Sequence, residues 1–185
     1  MEKIRCGWCE KDDLYRKYHD EEWGRPVYDD ETIFEFLILE SFQAGLSWYT
    51  ILSKRETFKE AFDQFDYKKI AAYSDEKVEE LMQNPGIVRN RLKVLATITN
   101  AQKFQEIQRE FGSFSKYIWG FVDGKPIQNT PKTLKDVPAT TEISDTLSKD
   151  LKKRGFKFMG STVVYAHMQA TGMVNDHLES CFIKR

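Results

Sequence analysis

The sequence predicts an all-α fold, and three observations predict it. Apolar residues recur at helical spacing, as in Leu92, Leu95, Ala96, Ile98, Thr99, Ala101 and Phe104. Residues suited to helix N-caps stand ahead of several such segments, Ser47, Asp66 and Ser74 among them. Alternating apolar and polar runs of useful strand length are not found.

A chain of 185 residues suits one domain, 1–185, with its own core, as a single body or split into two lobes. Apolar residues at 41% and charged residues at 31% describe a folded chain rather than a disordered one. No apolar run is long enough to cross a bilayer, and the opening MEKIRCGWCE lacks the apolar core of a signal peptide. A cytoplasmic location, away from membranes, is expected. The net charge of −1 gives no global attraction to nucleic acid. Two local runs do. Arg89, Arg91, Lys93 and Lys103 meet no acid between Gly86 and Lys103, and Lys149, Lys152, Lys153, Arg154 and Lys157 meet only Asp150. Such patches suit contact with phosphates, although a charge run is commonly a solvated face.

The elements follow in order. Cys6-Gly-Trp-Cys9 admits a redox dithiol, two metal ligands or coincidence. A redox dithiol needs a preceding strand, and only five residues precede Cys6. Leu14 to Gly24 reads as a short aromatic helix or turn around His19. The acids Asp29, Asp30 and Glu31 favour the positive end of the next helix. That helix runs to Gly45 and carries Glu40 one turn beyond Phe36 and Leu37. A carboxylate so flanked loses hydration unless a charged or donor-rich partner meets it. Gly45 permits a bend, and Ser47 can cap a helix holding Trp48 in its first turn. Acid and flat ring on either side of a bend can wall a pocket for a flat cation. A helix hairpin with a solvated Glu and a core Trp is the alternative.

Thr50 to Phe62 carries an uneven but mostly helical pattern, and Tyr67 to Tyr73 and Asp75 to Met82 read as helices. Pro85-Gly86 is a sharp turn, and a long helix is expected from about Arg89 to Phe111. Helix, Pro-Gly-Ile-Val, helix over about 75–111 is the outline of a helix–hairpin–helix, whose unpaired backbone N–H groups can hold a DNA phosphate. An ordinary αα-hairpin meets the same outline. Ser113 to Trp119 reads as a short helix, and the polar stretch to Thr141 as a long loop holding at most a small hairpin. Glu142 to Arg154 and Ser161 to Thr171 complete the helices, stopped by Gly155 and Gly172.

His177-x3-Cys181 places an imidazole and a thiol one helical turn apart. With Cys6 and His19 they make a Cys2His2 set that zinc accepts in structural sites, joining both ends of the chain. Cys9 can stand in for Cys6, and His167 has no evident task. Buried cysteines with solvated histidines are the alternative.

Taken together, several segments resemble the bacterial 3-methyladenine DNA glycosylase I family. They are Arg5-Cys6-Gly7-Trp8, Tyr18 to Gly24, Glu40 with Gln43-Ala44-Gly45-Leu46-Ser47-Trp48, Gly86 to Arg91, Lys152 to Phe158, and Val174-Asn175-Asp176-His177. The resemblance implies a helix–hairpin–helix DNA glycosylase fold whose termini are joined by structural zinc on Cys6, His19, His177 and Cys181. It implies hydrolysis of the N-glycosidic bond of 3-methyladenine in alkylated double-stranded DNA, by an enzyme that also binds the free base. It places the base pocket at Glu40, Trp48, Tyr18 and Trp8, with Glu40 as the candidate catalytic group. Gln43 and Leu46 fall where the family enters the gap left by the extruded base, and Gly86, Val88, Arg89 and Arg91 fall on the DNA-binding hairpin. Val88 replaces the hairpin's usual second glycine, and no Asp follows the hairpin where many relatives of the wider superfamily carry a catalytic one. A monomer is expected. Two other classes share some features. A non-catalytic zinc-stabilised DNA-binding module leaves Glu40 unexplained, and a metallohydrolase would need an open metal position.

Overall fold

The computed structural model describes residues 3–184, and helices dominate it. In order they are α1 (Asp13–Glu21), α2 (Asp30–Gln43), α3 (Trp48–Ser53), α4 (Arg55–Ala61), α5 (Tyr67–Ile70), α6 (Asp75–Gln83), α7 (Arg91–Phe111), α8 (Phe114–Trp119), α9 (Glu142–Lys153) and α10 (Ser161–Ala170). Short polar side chains start most of them. Asp12, Asp29, Ser47, Asp66, Ser74, Asn90, Ser113 and Thr141 each accept a backbone N–H from the first turn that follows. Each such cap is worth about 1 kcal/mol.

The helix α2 is the centre of the molecule. Ile33, Phe34 and every residue from Phe36 to Phe42 are buried, so it is enclosed on all sides. It packs against α3, α7, α8 and α10. His167 of α10 is part of that packing. Its Nε2 lies 3.2 Å from the Ile33 carbonyl, and burial pushes its pKa down to about 4, so it is a neutral core histidine. A second apolar cluster, Tyr18, Phe36, Leu52 and Ala170, lies along α2 with Trp8, Tyr15, Trp23 and Trp48 packed on it.

Four expectations change in detail. The segment 50–62 is two helices, broken at Lys54. The long helix begins at Arg91, because Asn90 keeps extended backbone and caps it. Lys93, counted above in a basic run, turns inward and is 5% exposed. The polar stretch holds no hairpin. A two-residue strand β1 (Ile127–Gln128) instead pairs in parallel with β2 (Val174–Asn175). Parallel partners need a distant segment, which local pattern does not reveal.

The hairpin between α6 and α7 is tightly built. A Cβ added at Gly86 would stand 2.9 Å from the Thr57 Cβ, so only glycine fits against α4. The Gly86 N–H donates to the Asn84 side chain at 2.8 Å. At the other end of the molecule the terminal segments meet, with the Phe182 N–H donating to the Ile4 carbonyl at 2.8 Å.

Candidate active site and metal cluster

A pocket of about 330 Å³ opens beside the C-terminal half of α2. Glu40 lines it from α2, Trp48 from the start of α3, Tyr18 from α1, and Trp8 from the N-terminal segment. Gln43 borders it from the last turn of α2. The ring centroids of Tyr18 and Trp48 are 5.5 Å apart, and those of Phe36 and Trp48 are 6.5 Å apart. The four residues expected to form one base pocket therefore do line one pocket. Trp23, Tyr15, Gln169 and Asp176 line it as well, together with Leu134 and Pro138 of the long loop. Trp23 and Tyr15 belong to the aromatic stretch around His19, a signal that could have found them. Leu134 and Pro138 carry no local signal.

The lining is chemically unfinished. Among the described residues, three buried side-chain polar atoms have no hydrogen-bond partner: the Tyr18 hydroxyl, Glu40 Oε2 and Trp48 Nε1. All three belong to residues that line this pocket. Unmatched buried polar groups are rare in folded proteins, because each forfeits its hydration. Three in one cavity give its lining the hydrogen-bonding capacity to hold a polar ligand. Desolvation alone pushes Glu40 up to about 8, so the carboxyl of the open pocket is mostly neutral at pH 7. Desolvation likewise carries the Tyr18 phenol well above its ordinary value.

The Glu40 shift has a consequence for stability. The neutral form is favoured more in the folded chain than in the unfolded one. The resulting stability is complete below the ordinary pKa near 4.5 and drains away as the pH rises toward about 8. Each unit of displacement corresponds to about 1.4 kcal/mol. The Glu40→Gln variant, neutral throughout, is expected to lose less stability between pH 5 and pH 8 than the parent. Urea midpoints at both values measure this, and equal losses in the two proteins would show that Glu40 ionises freely.

The bend after α2 keeps Gly45 at φ +80° and leaves Leu46 exposed beside the pocket. On the hairpin, Val88 is half-buried and Arg89 exposed, while exposed Arg91 pairs with Glu79 at 2.7 Å. Val88 and Arg89 belong to the α6–α7 turn and Arg91 opens α7.

The four expected ligand residues converge. Cys6 Sγ, His19 Nε2, His177 Nδ1 and Cys181 Sγ are buried and form a compact cluster within 4.8 Å of one another. The sulfur–nitrogen separations are 3.6 Å for Cys6–His177, 3.7 Å for Cys181–His19 and 3.7 Å for Cys181–His177. A tetrahedral ion with ordinary metal–sulfur and metal–nitrogen bonds would set those edges at roughly 3.6 Å. Both imidazoles already face the cluster with a bare nitrogen. His19 Nδ1 lies 2.8 Å from Asp20, itself held by Arg5, and His177 Nε2 lies 2.9 Å from the Trp23 carbonyl. Those acceptors fix the proton on the outer nitrogen of each ring. Burial pushes His177 down to about 4 and Cys6 up to about 12. Neutral imidazoles suit a metal, and a cation would reverse the penalty on the thiolates. The donor set therefore fits a metal ion. Cys9 is outside it, with its Sγ 3.0 Å from the Cys6 carbonyl.

Cluster and pocket share walls. Trp8 packs edge-on against His19 at 5.3 Å, and Trp23 against His177 at 4.7 Å.

Known proteins resemble the chain along nearly its whole length. A family model described as methyladenine glycosylase matches residues 8–184. DNA-3-methyladenine glycosylase 1 of Escherichia coli (strain K12) is 48% identical over 177 residues, covering 96% of this chain and 95% of that protein. A crystal structure of 3-methyladenine DNA glycosylase I superposes with a TM-score of 0.96 at 48% identity, covering 98% of this chain and 100% of the other. A structure of the Staphylococcus aureus enzyme, which addresses how it recognises 3-methyladenine, gives 0.94 at 40% identity, covering 98% and 96%. An aromatic slot lined by two buried acids, Glu40 and Asp176, and a Cys/His cluster joining the ends thus sit in a chain that belongs to the methyladenine glycosylase family.

Proposed function

We propose that this chain is a base-excision repair glycosylase that hydrolyses the N-glycosidic bond of 3-methyladenine in alkylated duplex DNA, leaving an abasic site. The observation that carries this reading is the trio of unmatched polar atoms on Tyr18, Glu40 and Trp48 around one aromatic slot. A base must leave the duplex to reach such a slot, at a cost of a few kcal/mol. In this reading Leu46, exposed on its bend, fills the vacated stack, and the hairpin at Gly86, Val88, Arg89 and Arg91 holds the backbone.

Methylation at N3 makes the linked adenine cationic. Tyr18 and Trp48 offer ring faces, and a cation over such a face gains about 0.5–2 kcal/mol. A positive base also lowers the pKa of a nearby carboxyl, so its arrival favours ionised Glu40. The carboxylate then accepts from the exocyclic amino group. Unmodified adenine is neutral and leaves Glu40 protonated. Selectivity follows from charge as well as shape.

Binding a cation tightly would slow its departure if charge vanished during reaction. It does not vanish. As the bond breaks, the base leaves neutral and the positive charge passes to the sugar. Glu40 faces a cation at both stages, and the bond needs little acid help.

Zinc on Cys6, His19, His177 and Cys181 completes the reading. With four protein ligands it has no open position for water, so its contribution is a cross-link rather than chemistry. Incubation with methylated duplex DNA, with the released bases identified, tests the function. Release of 3-methyladenine with abasic sites is expected. Tight DNA binding without release would favour the non-catalytic module.

A further inference from the structure

Lys93 stands in the basic run of the hairpin, where charge counting assigns it to phosphate. The structure assigns it elsewhere. Its side chain is buried, and its Nζ donates to the Phe42 carbonyl at 2.8 Å and the Ala44 carbonyl at 2.7 Å. These carbonyls belong to the end of α2, where the C=O groups of the last turn find no N–H donors within the helix. The residue capping that end, Ala44, has left helical backbone (φ −48°, ψ 117°). An ammonium is also the favoured partner for the negative end of a helix dipole. At its other end Lys93 is fixed by the hairpin, because its own N–H donates to the Asn90 cap at 3.2 Å.

We infer that Lys93 is a positioning residue that ties the DNA-gripping turn to the bend carrying Gln43 and Leu46, and through α2 to Glu40. One side chain spans the two parts that must act together. The turn at 86–90 engages the backbone, and the bend at 43–46 enters the duplex beside the pocket. Their relative placement decides whether an extruded base meets Glu40. Burial lowers the Lys93 pKa from its ordinary value, as suits an ammonium withdrawn from water and spent on two carbonyls. This inference rests on the glycosylase reading above.

The test compares the parent with Lys93→Met, which keeps the apolar stem and removes the donors. Three quantities are read: the single-turnover release rate at saturating methylated duplex, the affinity for free 3-methyladenine, and the salt dependence of DNA binding. Release is expected to fall by about tenfold to a hundredfold, the scale of an ångström-level misplacement. Free-base affinity should stay within about twofold, because the slot itself is untouched. The salt slope should be unchanged. A phosphate-contacting lysine predicts the reverse, a slope smaller by about one with saturating release intact, and that result overturns the inference. Parallel loss of free-base affinity also overturns it, because the effect would then be general damage. If Lys93→Met does not fold, Lys93→Gln, which retains a donor for one carbonyl, should show a smaller loss of the same kind. Wild-type release by Lys93→Gln would then overturn the inference. An inactive parent would defeat the glycosylase reading instead, so the two failures are distinct.

Discussion

Replacing Glu40 with Gln is expected to slow release of methylated base by about two orders of magnitude. Removal of one electrostatic stabiliser from a water-poor site commonly has an effect of this size. The amide preserves volume and an acceptor oxygen, so the slot keeps its shape. What disappears is the capacity to become negative when a cation arrives, and to stay negative as charge passes to the sugar. Binding of methylated duplex should change by no more than about twofold, because most of that affinity comes from backbone contacts. Single-turnover release beside equilibrium binding separates the two effects. An unchanged release rate would remove Glu40 from the chemistry.

With the proposed metal on Cys6, His19, His177 and Cys181, its removal is expected to unfold part of the chain and abolish activity together. An ion present at a thousand times its dissociation constant stabilises by about 4 kcal/mol. For a chain of this size each kcal/mol moves the midpoint by about 2–4 °C, so chelation should lower it by about 8–16 °C. Cys181→Ser should behave similarly. The base slot should suffer at once, since Trp8 and Trp23 lean on the two histidines. Circular dichroism and base release followed together during chelation measure this. A chain that stays folded but inactive would give the metal a catalytic task. An unaltered midpoint and activity would remove the ion from the account.

Much of this arrangement was legible in the residues. Asp66 and Ser74 cap as their positions suggest, and Gly155 and Gly172 stop helices with φ of +98° and +70°. The cluster of Cys6, His19, His177 and Cys181 was visible because few residue types bind a soft cation. Glu40 and Trp48 share a wall because a bend joins their helices. What escaped was whatever depends on distant chain. Lys93 looked like surface charge until α2 supplied the carbonyls that draw it in. The strand partners 127 and 174 are far apart in sequence. Leu134 and Pro138 line the slot from a loop whose polarity suggested only solvent. Asp176, next to His177 in the sequence, lines the slot and accepts from Asn129 at 2.7 Å and Gln169 at 2.9 Å.

The contact between Cys6 and His177 bridges 171 positions. Closing a loop of that length opposes assembly by about 5 kcal/mol of chain entropy. No neighbouring turn can offset such a term early, so this seam is expected to join late in folding, after α2 and α7 have met. The walls supplied by Trp8 and Tyr18 inherit that timing. Amides of residues 3–24 should accordingly exchange with solvent sooner than those of α2, which hydrogen exchange measures.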